Sequence, residues 1–163
     1  MTNKTRASRE KGHLEDQPVP VRTKLSVLWI TVMFLYVYVD IFGFYLPGTI
    51  EDILVGRVWE FDISQGWVFG ALALMAIPAL MVFLSLALPA RMARWSNLVI
   101  GGLYIPVSLF NLIDATWAHY WLGAIIEVGL LVLVVRSAWL WPRVTDRADR
   151  AENHTATPVP AGR

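Results

Sequence analysis

The chain has 163 residues, 56% of them hydrophobic and 17% charged, with a net charge of +1 and a mean hydropathy of +0.50. A water-soluble domain of this length cannot hide so much apolar surface, whereas a lipid bilayer accepts it. The chain contains no cysteine, which excludes disulfides, thiolate metal sites and cysteine nucleophiles. His13, His119 and His154 are too far apart for a zinc-binding helix pair.

Residues 1–24 are polar and basic, with Pro18 and Pro20 near their end, and are expected to form a disordered cytoplasmic tail. Four apolar runs follow at about 25–46, 66–88, 98–116 and 121–141. Each approaches or exceeds the ~20 residues a helix needs to cross about 30 Å of hydrocarbon. None alternates with the period of two that a membrane barrel strand requires, so helices are the form that satisfies the backbone in lipid. The first run is too long for the apolar region of a signal peptide, and Phe44-Tyr45-Leu46-Pro47 is no small-residue cleavage site. The predicted fold is all-α: a four-transmembrane-helix bundle over 25–142, with disordered tails at 1–24 and 143–163.

Lysine and arginine set the orientation. Arg22 and Lys24 precede the first run, Arg91 and Arg94 lie between the second and third, and Arg136, Arg143, Arg147 and Arg150 gather at and beyond the end of the fourth. The first connection instead holds Glu51, Asp52, Glu60 and Asp62 against Arg57, and the third holds only His119. Both termini are therefore expected on the cytoplasmic side of a bacterial plasma membrane. All eight tryptophans fall at or beside predicted helix ends: Trp29, Trp95, Trp139 and Trp141 inside, Trp59, Trp67, Trp117 and Trp121 outside. They read as two interfacial aromatic belts. In the connection 48–65, Ile50, Ile53, Leu54, Val58 and Phe61 recur at roughly helical spacing, which fits a surface amphipathic helix or an ordinary loop that Gly56 interrupts.

Three acids lie inside the apolar runs, Asp40, Asp114 and Glu127. With helices running alternately outward and inward, all three fall within ~10 Å of the outer interface. Carboxyls at such depth normally face the bundle interior and find partners. Tyr36 lies one turn before Asp40, Asn111, Ser108 and Tyr104 extend the face of Asp114, and His119 lies between Asp114 and Glu127. The candidate site is thus a polar pocket of Asp40, Asp114, Glu127, Tyr36, Asn111 and His119 that opens outward. Two readings stand: a proton- or cation-linked site or small-ligand pocket, and neutral carboxyls that hydrogen-bond between helices as structural glue.

Pro78 and Pro106, mid-helix, should each kink a helix and free a carbonyl. Gly66 and Gly70, with Gly101, Gly102 and Gly123, offer small surfaces for close packing. Arg136 should snorkel to the cytoplasmic surface, where the glycosylation-like Asn153-His154-Thr155 would go unused. No phosphate loop, metal-binding helix pair or nucleophile elbow is present, and no histidine lies in a span to ligate haem. No cofactor, metal or nucleic-acid partner is expected.

The stretch 23–141 resembles an uncharacterised family of small bacterial four-helix membrane proteins, a domain of unknown function. The likeness rests on Lys24-Leu25-Ser26-Val27-Leu28-Trp29-Ile30, on Tyr38-Val39-Asp40-Ile41 with Leu46-Pro47-Gly48, and on Ile77-Pro78-Ala79-Leu80-Met81-Val82-Phe83-Leu84-Ser85. Arg94-Trp95-Ser96-Asn97, Ile125-Ile126-Glu127 and Ala138-Trp139 complete it. That family often carries an acid where this chain has Ala76. The architecture is also loosely similar to DoxX-like proteins. The resemblance implies four membrane helices and a plasma-membrane location, and it supplies no activity. The expected function is that of a non-enzymatic bundle acting in transport or as an accessory subunit, with the lipid bilayer and a homo-oligomer or larger complex as partners. The alternative is a membrane-embedded enzyme or redox-associated factor using the acidic pocket.

Overall fold

The computed structural model describes residues 18–113 and 115–142. Within them the chain forms α1 (Val21–Gly43), a short α2 (Thr49–Leu54), a hairpin of β1 (Arg57–Val58) and β2 (Phe61–Asp62), and the long helices α3 (Gln65–Ala87), α4 (Ala90–Phe110) and α5 (Ala118–Trp139). α1, α3 and α5 are each long and apolar enough to cross a membrane. α4 has 21 residues, but its N-terminal part carries Arg91, Arg94, Ser96 and Asn97.

Several boundaries differ from the sequence reading, for physical reasons. α1 begins at Val21, straight after Pro20, so residues 21–24 are helical rather than part of a tail. It stops at Gly43, before Pro47-Gly48, because Phe44, Tyr45 and Leu46 turn back with backbone bonds to Ile41, Phe42 and Gly43. The stretch 89–97, expected as a connection with a helix from 98 to 116, is the first part of α4, which starts at Ala90 after Pro89 and ends at Phe110. Hydropathy marks the apolar centre of a helix, and α4 continues past it into polar sequence. Only Thr49–Leu54 of the first connection is helical. Gly56, at φ 83°, ends that path, and a two-stranded ladder pairs Arg57 with Asp62 and Val58 with Phe61. The predicted tails at 1–17 and 143–163 lie outside the described residues.

Side-chain contacts fix the direction of every long helix. Arg22 of α1 donates to the Leu86 and Leu88 carbonyls at the end of α3, at 2.8 and 2.6 Å. Arg94 of α4 donates to the Trp139 carbonyl at the end of α5. Tyr36 meets Ser108, so α1 and α4 run parallel while α3 and α5 run against them. Every described arginine but Arg57 thus gathers at one end, here the basic end, and every described acid lies towards the other, the acidic end. The helices are arranged around a ring in the order α3, α1, α5, α4, and the seam from α4 back to α3 is the least packed.

The core is a narrow stripe. On α1 it is Leu25, Trp29, Val32 and Tyr36, the three- and four-residue steps of one helix face. Met81, Tyr104, Leu131, Val134 and Ala138 close around it. The outward faces are equally apolar: Phe34, Phe69, Leu72 and Phe83 are all more than half exposed. Helices greasy on every side suit lipid rather than water.

Trp29 overturns its expected place in an interfacial belt. It is fully buried, edge-on to Tyr104, and its indole N–H donates to Asn97 Oδ1 at 2.7 Å. Asn97 donates in turn to the Ala93 carbonyl at 2.7 Å and to the Ser85 hydroxyl at 3.1 Å. Three helices therefore share one saturated polar knot. Both expected prolines lie inside continuous helices, and the carbonyl freed by Pro78, that of Leu74, accepts a bond from the Tyr104 hydroxyl across the loose α3–α4 seam. Removing Asn97 leaves the Trp29 donor without its buried partner, at a typical cost of about 1–3 kcal/mol. Asn97→Ala is therefore expected to lower the midpoint of unfolding in mixed micelles, and an unchanged midpoint would show that the knot contributes nothing.

Candidate functional site

At the acidic end the bundle splays into a cavity of about 810 Å³, within the ~300–1,000 Å³ range typical of small-molecule sites. Val39, Asp40 and Gly43 of α1 line it on one side and Tyr120 of α5 on another. Trp67, Phe110 and Asn111 come from the neighbouring helix ends. Thr49, Asp52 and Ile53 of α2, with Arg57, Val58 and Trp59 of the hairpin, complete the wall.

Two close approaches set this geometry. A Cβ on Gly123 would lie 2.7 Å from Val39 Cγ2, and one on Gly43 would lie 3.0 Å from the Tyr120 hydroxyl. α1 and α5 therefore meet nearly backbone to side chain, each using a glycine where the other presents bulk. This brings Asp40 beside Tyr120 and within charge range of Glu127.

The hairpin roofs the cavity. Its backbone is closed at the base by the Ile63 N–H on the Gly56 carbonyl at 2.7 Å. At its tip Trp59 holds φ at 53°, a left-handed conformation uncommon for a bulky residue and retained only where surroundings enforce it. The enforcing contacts are edge-on rings: Phe61 at 5.9 Å on the hairpin and Phe110 at 6.1 Å on α4. At the floor, Ser64 caps α3 by accepting from the Trp67 N–H at 3.1 Å, which fixes the helix start that carries Trp67.

The six expected site residues divide. Asp40 and Asn111 line the cavity. Glu127 sits behind the wall, only 2% exposed, facing Ser108, whose hydroxyl is 2.9 Å from that of the buried Tyr36. His119 is in the first turn of α5, laid against Tyr120 with ring centroids 4.0 Å apart, and does not line the cavity. Asp114 lies outside the described residues. α4, the helix expected to carry it, ends at Phe110. Tyr120, Asp52, Arg57 and the tryptophan walls were not singled out for the site. Tyr120 had a signal, because it lies two turns before Glu127 on the same face of α5. The hairpin residues had none, since they reach the cavity through a fold-back that periodicity does not encode.

The sequence matches the model of a family described as of unknown function, DUF6326, over residues 19–147. The chain belongs to this family. The matched stretch takes in all the long helices, the hairpin and the cavity, so the acidic-end architecture falls within the family region. No curated protein and no solved structure matches the chain.

The glycine contact generates a direct test. Gly123→Ala forces Val39 or the helix to shift, an overpacking that typically costs about 1–3 kcal/mol. Gly129→Ala on the same helix meets nothing within 4 Å and should be neutral or stabilising. Unfolding midpoints of the two variants are expected to separate in that order, and equal midpoints would refute the close contact.

Proposed function

We propose that the protein is an integral plasma-membrane bundle of four crossings, with both termini cytoplasmic, whose acidic end faces outward and binds a small ligand. The role that fits is non-enzymatic: a transport-related bundle or an accessory subunit of a larger complex. The observation that carries the reading is the cavity itself, of ligand size, roofed by a strained aromatic hairpin and set at the end opposite Arg22, Arg91, Arg94 and Arg136.

Support for four crossings comes from α4. It packs along α5, meets α3 across the looser seam and bonds to α1 through Trp29–Asn97 and Tyr36–Ser108, and it spans about 30 Å at 1.5 Å per residue, the thickness of a hydrocarbon core. A helix held between apolar neighbours shares their depth. Support for the orientation comes from charge. The described basic residues other than Arg57 lie at one end, and that end retains cytoplasmic contact by the positive-inside rule. Trp95 and Trp139 are exposed there, as headgroup-level indoles are.

The cysteine-free chain makes the test clean. In intact cells, a membrane-impermeant maleimide is expected to label Asp52→Cys and the cavity-wall variant Asn111→Cys. Ala90→Cys, at the start of α4, is expected to react only after permeabilisation. Labelling of Ala90→Cys from outside, with protection of Asp52→Cys, would overturn the orientation. Protection of Asn111→Cys while Asp52→Cys reacts would overturn the open pocket.

A further inference from the structure

The charge balance at the acidic end is uneven. Asp40, Glu51, Asp52, Glu60, Asp62 and Glu127 lie there among the described residues, and the one lysine or arginine with them is Arg57. Arg57 stands opposite Asp62 in the hairpin register and shares the cavity wall with Asp40 and Asp52, so one guanidinium is set against three acids. Among the described residues no basic side chain forms an ion pair with Asp40, which belongs to the last turn of α1, a turn without any basic residue. The carbonyl end of a helix disfavours an anion, so the backbone gives this carboxylate no help.

Beside the polar Thr49, Asn111 and Tyr120, much of the wall around Asp40 is aromatic and aliphatic. Trp59, Trp67, Phe44 and Phe110 line the same cavity, with Val39 and Ile53 between them. Aromatic faces attract cations, most strongly where water is excluded. An anion would meet two aspartates against one arginine, and a neutral guest would leave the charge of Asp40 without a partner. A divalent metal needs several converging ligands, and no three His, Asp or Glu side chains converge among the described residues.

We propose that the cavity binds a lipophilic organic cation, such as a quaternary ammonium, a phosphonium or a protonated amine on an apolar body. The charge lies against Asp40 and the body between Trp59, Trp67 and Phe110. This rests on the reading of the acidic end as an open ligand pocket and adds the chemistry of the guest.

Tetraphenylphosphonium is the probe and tetraphenylborate its size-matched anion, measured by equilibrium binding to the detergent-purified full chain against protein-free micelles. Saturable binding of the phosphonium alone is expected. Asp40→Asn should weaken it about tenfold or more, equivalent to ~1.4 kcal/mol. Asp40→Glu should retain most of the affinity, and Glu127→Gln, behind the wall, should lose less than Asp40→Asn. Helical circular dichroism establishes that each variant is folded. Equal binding of both ions, or a folded Asp40→Asn with unchanged affinity, overturns the cation class and leaves the pocket standing. Binding of neither ion also overturns the cation class. The maleimide reaction at Asn111→Cys then decides separately whether the pocket itself is open.

Discussion

The contact between α1 and α5 at Gly43 and Gly123 is the constraint on which the acidic end depends. Bundles in lipid gain little from burying one apolar surface against another, because the lipid is as apolar as the helix. Close packing and interhelical polar contacts must hold them instead. Here Val39 fits over Gly123 and the Tyr120 hydroxyl fits over Gly43. Those two fits draw the helices together where both carry carboxyls. Asp40 and Glu127 come within charge range because the backbones come close, and the cavity opens just beyond the point where they part.

The same logic orders the rest of the bundle. Polar contacts recur along its axis: Arg22 and Arg94 on helix-terminal carbonyls, then Asn97 with Trp29 and Ser85, then Tyr104 on the Leu74 carbonyl, then Tyr36 with Ser108. Each joins at least two helices. The Tyr104 bond is instructive because Pro78 creates its acceptor. A proline inside a helix leaves the carbonyl four residues earlier without a donor, and in lipid that group needs another partner. The tyrosine meets the need across the seam where α3 and α4 are least packed. A residue that weakens one helix thus fastens two.

Legibility in the sequence followed the range of the underlying physics. The apolar centres of α1, α3 and α5 were plain because each is a long uninterrupted run, and α3 was read within one residue at both ends. The start of α4 was not, because Arg91, Arg94, Ser96 and Asn97 resemble a loop by hydropathy and become helical through tertiary contacts. Trp29 misled for a related reason. An indole near a helix end suits a headgroup belt equally well, and only Asn97, distant in sequence, draws it inward. Asp40 and Glu127 were visible as acids in greasy surroundings and fell in one layer because helix rise converts sequence to depth. Which of them faces the cavity depends on helix rotation and on the hairpin's fold-back. Composition and periodicity contain neither.

The two ends of the molecule treat charge in opposite ways. At the basic end cations meet the carbonyl termini of α3 and α5: Arg22 lies on Leu86 and Leu88 and over the ring of Trp141, and Arg94 on Trp139. At Arg22 guanidinium, helix dipole and aromatic face are satisfied together. At the acidic end α1 also finishes with its carbonyls outward, and aromatic faces again stand close by, yet Asp40 occupies the last turn without a basic neighbour. The same chain that places arginine on two helix ends leaves a carboxylate on a third. Arg57 alone does not balance this end, because it stands on a cavity wall with Asp40 and Asp52 and opposite Asp62 in the hairpin. The missing partner has the properties of the guanidinium at the other end: positive, planar or bulky enough to lie on indole, and content with little water. A soluble guest of that kind completes the acidic end as Arg22 completes the basic one.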